Sequence, residues 1–240
     1  MPTVLITGAA KRVGKALTEL FAARGWEVII HYHTSERAAR DLSLSLQKKY
    51  DSRHFPVVQA DLSNPVQSVE MLLKQLPQPL AGLDALINNA SVFDASTLAE
   101  TDYDLWRRQM LVNFETPFML MQAFYKMFGK GAVVNVLDTR IVNNDSSHAA
   151  YSLSKKALTQ LTQMAALEWA PDVRVNGVAP GPVLPPPGRD SVYFEKVAAD
   201  TPLKRVVGLD SLAESVWFLV ANSAITGQVI YCDSGAHLNG

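Results

Sequence analysis

The chain has 240 residues, of which 48% are hydrophobic and 19% are charged, and its formal net charge is −1. This composition is typical of a globular domain with a large core and excludes a disordered or fibrous protein. The near-neutral charge offers no basic surface for nucleic acid, so a small-molecule partner is favoured. Because Cys232 is the only cysteine, no intramolecular disulfide can form, and no metal site is expected.

The amino terminus lacks the basic segment and apolar core of a signal peptide. No apolar run approaches the length that would span a bilayer. We therefore expect a cytoplasmic protein that does not bind membranes.

Short apolar runs alternate with helical patterns along the chain. The runs predict strands at Thr3–Thr7, Trp26–His31, Phe55–Ala60, Ala85–Asn88, Ala132–Leu137, Arg174–Val178 and Val229–Cys232. The apolar spacing between them predicts helices at Lys15–Ala23, Glu36–Lys49, Val66–Gln75, Tyr103–Phe128, Tyr151–Trp169 and Asp210–Ala221. Strands that are apolar on both faces and alternate with helices indicate a parallel sheet covered on both sides. We predict a doubly wound α/β fold in one domain over residues 1–240.

One stretch late in the chain, Ala179–Asp190, fits neither pattern because it holds five prolines. It predicts a loop or lid on the substrate side.

The first strand and first helix are joined by a loop of small residues, Thr7-Gly-Ala-Ala-Lys-Arg-Val-Gly14. Small residues there allow backbone N–H groups to approach a pyrophosphate at a helix N-terminus. An ordinary strand-to-helix turn is the alternative. The position of the loop favours a dinucleotide.

Cofactor choice is read at the end of the second strand, where an acidic residue would accept from the adenosine ribose. Here the sequence is His31-Tyr-His-Thr-Ser35, whose imidazoles and hydroxyls can donate to a phosphate. Arg37 follows closely. This chemistry favours NADP(H) over NAD(H), although Glu36 is also near.

Tyr151 and Lys155 stand four residues apart, on one face of one predicted helix. A neighbouring cation stabilises a phenolate and lowers its pKa, so Tyr151 can donate a proton as a hydride arrives. Such pairs also occur in helices without any catalytic role.

In order and spacing, Thr7–Gly14, Asn88-Asn-Ala90, Asn113, the Tyr151/Lys155 pair and Pro180-Gly181 resemble the short-chain dehydrogenase/reductase family across nearly the whole chain. The resemblance implies a Rossmann-type fold, usually in a dimer or tetramer, and we expect a homotetramer first. Tyr151 would be the proton donor, Lys155 would bind the nicotinamide ribose, and Asn113 would hold a water in a proton relay.

Together with the strand-end residues, the resemblance gives a predicted NADP(H)-binding set. Its members are Gly8, Lys11, Arg12, Val13, His31, His33, Thr34, Ser35, Asp61, Leu62, Asn88, Ala90, Ser91, Tyr151, Lys155, Pro180 and Gly181.

Two positions depart from the family pattern. Asp138 stands where the family usually has a serine, and Arg12 stands where it normally has a glycine. An ionised carboxylate is only an acceptor, so it repels a ketone oxygen but suits a substrate with N–H groups or a ring nitrogen. The forked donors of Arg12 can bridge a cofactor phosphate and a polar heterocycle.

Both departures, with His31-Tyr-His and Asn88-Asn-Ala-Ser-Val-Phe93, resemble the pteridine reductase branch of the family. This implies NADPH-dependent reduction of a C=N bond in a dihydropterin or dihydrofolate, with Asp138 joining Tyr151 and Lys155 in catalysis. Phe93 would stack on the pterin, Ser91 would hydrogen-bond its ring, and Arg12 would contact both ligands.

Thr34 and the Asp233-Ser-Gly segment differ from that branch, which often has an arginine at the first place and Asp-Gly-Gly at the second. The sequence leaves open which pterin or folate is the substrate, and whether Asp138 donates a proton or only orients the ring. A carbonyl or 3-oxoacyl-thioester reductase, and a non-catalytic dinucleotide-binding sensor, are the alternatives.

Overall fold

A computed structural model of the protein describes residues 1–51, 53–77, 82–184 and 191–239. Its strands form one parallel sheet of seven in the order β3-β2-β1-β4-β5-β6-β7. They are β1 (Thr3–Ile6), β2 (Glu27–Tyr32), β3 (Val57–Gln59), β4 (Ala85–Asn88), β5 (Gly131–Val136), β6 (Val173–Pro180) and β7 (Val229–Cys232). The α/β doubly wound Rossmann-type fold is therefore confirmed.

Helices cover both faces of the sheet. They are α1 (Arg12–Ala23), α2 (Glu36–Lys49), α3 (Pro65–Gln75), α4 (Tyr103–Met110), α5 (Thr116–Phe128), α6 (Ala149–Trp169), α7 (Ser191–Ala199) and α8 (Leu209–Ala221). Helices α1, α2 and α8 pack on one face, and α3, α5 and α6 pack on the other. Along β1, Val4 and Ile6 belong to the first layer and Leu5 to the second, as the alternation of strand side chains requires.

The predicted helix Tyr103–Phe128 is not continuous, because a π-helical turn, Leu111–Glu115, separates α4 from α5. Pro117 lies in the first turn of α5 and has no N–H group. It therefore cannot donate the usual helical bond to the carbonyl of Asn113, four residues earlier, and the ladder is rearranged.

Helix α7 was not expected from the sequence, and it follows the proline-rich stretch. Residues 185–190 of that stretch lie outside the described residues. The preceding part, Gly181–Leu184, forms a wall of the main cavity.

Two features are absent from the described ranges. None of the helices there is long and apolar enough to cross a membrane. Among the same residues, histidine, cysteine, aspartate and glutamate side chains form no group of three or more that could hold a metal ion.

Candidate active site

A cavity of about 970 Å³ opens at the carboxyl ends of the strands, where open α/β sheets bind their ligands. Most of the predicted site residues line it. These are Gly8, Lys11, Arg12, Val13, His31, His33, Asp61, Leu62, Ala90, Ser91, Phe93, Asp138, Tyr151, Lys155, Pro180 and Gly181. Thr34, Ser35, Asn88 and Asn113 are not among its lining residues.

Asp138 and Tyr151 lie next to each other on the cavity surface. Asp138 follows β5 and caps the 3₁₀ turn Thr139–Ile141, where its Oδ1 accepts the N–H of Arg140 at 2.8 Å. Its Oδ2 accepts a hydrogen bond from the Tyr151 hydroxyl at 2.8 Å. Tyr151 lies in the first turn of α6. Residues that are thirteen positions apart in sequence are thus joined at one point.

The Tyr151 hydroxyl is a weaker acid here than in water. Burial, and then the charge and hydrogen bond of Asp138, raise the pKa of Tyr151 well above its usual value, while Arg140 and Ser91 act in the opposite direction. The expectation that Lys155 lowers the pKa of Tyr151 is wrong for this arrangement, because the desolvation and the nearby carboxylate dominate.

Lys155 is buried, and its Nζ donates to the carbonyl of Val136 at 2.7 Å. The Nζ lies 5.8 Å from the centroid of the Tyr151 ring. Burial lowers the pKa of Lys155 to about 8, and the charge of Asp138 opposes that change. The ammonium therefore still carries its proton at pH 7.

His31 holds the glycine loop through a hydrogen bond to its backbone. Its Nδ1 accepts the N–H of Gly8 at 3.0 Å, and its Nε2 faces the carbonyl of Ala60 at 3.2 Å. Burial lowers the pKa of His31 to about 4, so the ring is neutral and both nitrogens are occupied. This corrects the expectation that the His31 imidazole donates to a phosphate.

The loop itself is held by close backbone packing. A Cβ on Gly14 would lie 2.0 Å from the carbonyl oxygen of Gly8, and a Cβ on Gly8 would lie 3.0 Å from the Cα of Ala90. Only glycine allows α1 and the end of β4 to approach the loop this closely. The first turn of α1 is thereby fixed against the cavity.

Arg12, the first residue of α1, has a φ of +51°. This left-handed conformation costs little for glycine and roughly 1–2 kcal/mol for other residues. The structure therefore retains a glycine-type backbone at the position where the family pattern has glycine. Its side chain lines the cavity.

Asp61 and His33, which follow β3 and β2, line the cavity together. The Asp61 carboxylate accepts the N–H of Ser63 at 2.9 Å, which lowers the pKa of Asp61. His33 Nε2 lies 3.7 Å from Asp61 Oδ2. Both side chains are about half exposed.

Asn113 is fully buried in the π-turn, and its amide is engaged on both sides. Its Oδ1 accepts from Ser91 Oγ and from the N–H of Val92, each at 3.0 Å. Its Nδ2 donates to the Val92 carbonyl at 3.0 Å and to Gln109 Oε1 at 2.9 Å. The Asn113 side chain therefore fixes the segment after β4, and this role was not foreseen.

Asn88, the last residue of the central strand β4, is buried and is not among the residues that line the cavity. Its Nδ2 donates to Asn135 Oδ1 at 2.8 Å, and Asn135 in turn donates to Thr162 Oγ1 at 2.9 Å. Asn89, which sequence reasoning passed over, lines the cavity in its place. Its Nδ2 donates to the carbonyl of Thr7 at 2.9 Å.

Phe93 forms the aromatic wall and is half exposed. One face of its ring stacks on His148, with ring centroids 4.0 Å apart and 10° between planes. The Tyr151 ring meets it edge-on at 4.6 Å. His148 is absent from the cavity lining, so the face of Phe93 that it covers is turned away from the cavity.

Arg140 also lines the cavity, and its Cζ lies 5.9 Å from the centroid of the Phe93 ring. It donates to Asp145 Oδ2 at 2.6 Å. Sequence reasoning missed Arg140, His148 and His237, because no motif marks them. The available signal for the first was its place two residues after Asp138.

Comparison with known proteins agrees with this geometry. Residues 8–237 match a family model described as enoyl-(acyl carrier protein) reductase. This model belongs to the short-chain dehydrogenase/reductase family. FolM alternative dihydrofolate reductase 1 from Brucella canis, solved with NADP, is 33% identical with a TM-score of 0.86, covering 99% of this chain and 94% of its own.

Two further relatives bear on the chemistry. Dihydromonapterin reductase from Shigella boydii is 28% identical over 98% of this chain and 96% of its own length. The angucycline C-6 ketoreductase LanV, solved with NADP, is 27% identical with a TM-score of 0.88, covering 99% of this chain and 96% of its own. The first supports the resemblance to the pteridine reductase branch, and the match of the family model to almost the whole chain shows that the protein belongs to the short-chain dehydrogenase/reductase family of oxidoreductases.

Proposed function

We propose that the protein is an NADPH-dependent pteridine reductase that reduces a ring C=N bond of a dihydropterin or dihydrofolate. The observation that carries this proposal is the 2.8 Å hydrogen bond between Tyr151 and Asp138 on a wall that also holds Phe93. It combines a proton donor, an acceptor for N–H groups and a flat apolar surface.

The cavity fits the dinucleotide and a ring together, since its volume is at the upper end for small-molecule sites. The close packing at Gly8 and Gly14 brings the first turn of α1 to the cavity. A helix N-terminus there favours the binding of a pyrophosphate. Lys11 and Arg12 add cationic side chains there. His33, with Thr34 and Ser35 beside it, would contact the 2′-phosphate of NADP(H).

Lys155 would bind the nicotinamide ribose, and Pro180 and Gly181 would close over the nicotinamide. The remaining proposed contacts are those of Val13, Asp61, Leu62, Ala90 and Ser91, all of which line the cavity. A bound NADPH supplies a hydride, which together with one proton converts a C=N bond to CH–NH and leaves NADP⁺.

The substrate wall is built to accept hydrogen bonds. The Ser91 hydroxyl donates a hydrogen bond to Asn113 Oδ1. The Asn113 amide is oriented by the N–H of Val92, which donates to Oδ1, and by Gln109 Oε1, which accepts from Nδ2. The Ser91 oxygen therefore offers lone pairs to a ligand. With the acceptor-only carboxylate of Asp138, this wall favours the amino and ring N–H groups of a pterin over a ketone oxygen.

The proton for the ring nitrogen comes from the Tyr151–Asp138 pair. The pKa of Tyr151 is raised by burial and by Asp138, so the phenol carries its proton at pH 7. Lys155 stabilises the negative charge that remains on the pair after the transfer. Phe93, backed by His148, would stack on one face of the pterin.

The decisive assay measures NADPH oxidation by the purified protein with dihydromonapterin, dihydrobiopterin or dihydrofolate, beside an acetoacetyl thioester. We expect turnover with at least one pterin or folate. Absence of any pterin or folate turnover would refute the proposal.

A carbonyl reductase is the second candidate, favoured by the likeness to the ketoreductase LanV. It requires Asp138 to replace the usual serine without excluding a carbonyl oxygen. Preferential turnover of the acetoacetyl thioester in the same assay would establish it.

We also propose that copies of this chain assemble through α6. Leu153, Met164 and Leu167 are large, exposed apolar residues on one face of this helix. Leu167 is 86% exposed. A second copy of the same face would bury them in a dimer, and two dimers would make the expected homotetramer.

A further inference from the structure

His237 lines the same cavity as Asp138 and Tyr151 but lies near the end of the chain. It belongs to the 3₁₀ turn Ala236–Asn239, which packs against the Thr139–Ile141 turn that Asp138 caps. His237 is therefore at the substrate end of the cavity.

The imidazole is held in two directions. Its Nδ1 lies 2.8 Å from Asp233 Oδ2, and the same oxygen accepts the backbone N–H of His237 at 2.7 Å. One face of the ring stacks on Tyr231, with centroids 4.2 Å apart and 20° between planes. Asp233 is buried and also accepts the N–H of Gly235 at 3.0 Å, so the carboxylate is itself fixed.

This arrangement determines what the ring can offer. The carboxylate of Asp233 accepts, so Nδ1 of His237 carries a proton. The other nitrogen, Nε2, makes no hydrogen bond to any residue that the structure describes. When the ring is neutral Nε2 is an acceptor, and when the ring is protonated it is a donor. A hydroxyl group, which both donates and accepts, matches either state.

We propose that His237 is a substrate-contacting residue whose Nε2 binds a hydroxyl group on the side chain of the substrate. Asp233 and Tyr231 are positioning residues that hold the ring. Asp138, Tyr151 and Ser91 serve the heterocycle, and His237 selects the substituent attached to it. The pterin identity of the substrate rests on the proposed function, whereas the contact itself does not.

The test uses two variants and two substrates. His237→Asn keeps a donor close to the position of Nδ1 and removes Nε2, whereas His237→Gln extends an amide toward the position of Nε2. With dihydromonapterin, which carries hydroxyls, we expect His237→Asn to raise KM about tenfold and His237→Gln to raise it less. With 6-methyl-dihydropterin, which carries none, KM should stay within about twofold for both.

The control readouts separate this role from a structural one. The Kd of NADPH should not change, and His54→Asn should leave all values unchanged, since His54 is exposed before β3 at the opposite edge of the sheet. Equal rises in KM for the two pterins, or a parallel rise in the Kd of NADPH, would overturn the proposal.

Failure of the proposed function would be distinguishable. If the wild-type protein reduced no pterin, calorimetric titration of the same two pterins into NADP⁺-saturated protein would still test the contact. A loss of affinity in His237→Asn for the hydroxylated ligand alone supports it. No difference between the two ligands, or no binding of either, contradicts it.

Discussion

The Tyr151 hydroxyl donates a hydrogen bond to Asp138 Oδ2 across 2.8 Å. Both residues line the cavity, so a bound ligand can contact either of them. Because the charge and the hydrogen bond of Asp138 raise the pKa of Tyr151, a change at Asp138 alters the acidity of the phenol.

Asp138→Ser restores the residue that the wider family carries, and it removes the acceptor for pterin N–H groups. We expect dihydropterin turnover to fall at least about tenfold, while the Kd of NADPH stays within about twofold. Steady-state kinetics and fluorescence titration of NADPH measure the two effects. A parallel loss of both would instead indicate misfolding or a cofactor role.

Tyr151→Phe removes the proton donor but keeps the ring that meets Phe93 edge-on. Turnover should fall at least about tenfold, a loss of roughly 1.4 kcal/mol of transition-state stabilisation. Tyr103→Phe, at an exposed tyrosine, is the matched control. Unchanged turnover in Tyr151→Phe would refute the assigned role.

Lys155→Met tests the cost of a buried ammonium. Burial lowers the pKa of Lys155 from 10.5 to about 8, so the folded protein binds this proton less tightly than the unfolded chain does. The cost is complete below pH 8, shrinks as the pH rises toward 10.5, and is absent above it.

At pH 7, without cofactor, Lys155→Met should therefore raise the free energy of unfolding by up to about 3 kcal/mol, reduced by about 1 kcal/mol for the lost bond to Val136. The gain should decline between pH 8 and 10.5, and turnover should be lost. Urea denaturation across this range measures it, with Lys48→Met at an exposed position as control. A gain that does not depend on pH would contradict the explanation.

Arg12→Gly and Arg12→Ala separate the backbone of position 12 from its side chain. Both variants lose the guanidinium, so both should bind NADPH more weakly. Glycine tolerates the φ of +51°, whereas alanine does not, and Arg12→Gly should be more stable by about 1 kcal/mol. Equal unfolding free energies would show that the backbone at this position is not strained.

Met164→Glu combined with Leu167→Glu places charge on the exposed face of α6. Light scattering should show a lower molar mass than for the wild type, because like charges would meet in the proposed interface. Leu44→Glu, at an exposed site on α2, should leave the mass unchanged. A wild type that is already monomeric would disprove this assembly.

Much of the fold follows from local patterns. Apolar runs such as Ala85–Asn88 fall within the observed strands, because strands buried on both faces need apolar residues throughout. The helical spacing of Tyr151 and Lys155 places both on the cavity wall.

Features that depend on contacts distant in sequence were not predictable in this way. The acidity of the Tyr151 phenol depends on burial and on Asp138. Asn89 lines the cavity and Asn88 does not, and this depends on which of the two side chains points into the core at the end of β4. Pro117 is different, because a proline within a helical pattern is a local sign of the interruption at Leu111–Glu115.

The stacking of His148 on Phe93 has a thermodynamic consequence. Phe93 is packed against protein side chains without a ligand, since His148 covers one ring face and Tyr151 contacts the ring at a steep angle. A flat ligand that stacks on the open face would lose little conformational entropy from the protein side. Selectivity among planar rings would then be set mainly by shape and hydrogen bonding, because every such ring meets the same rigid surface.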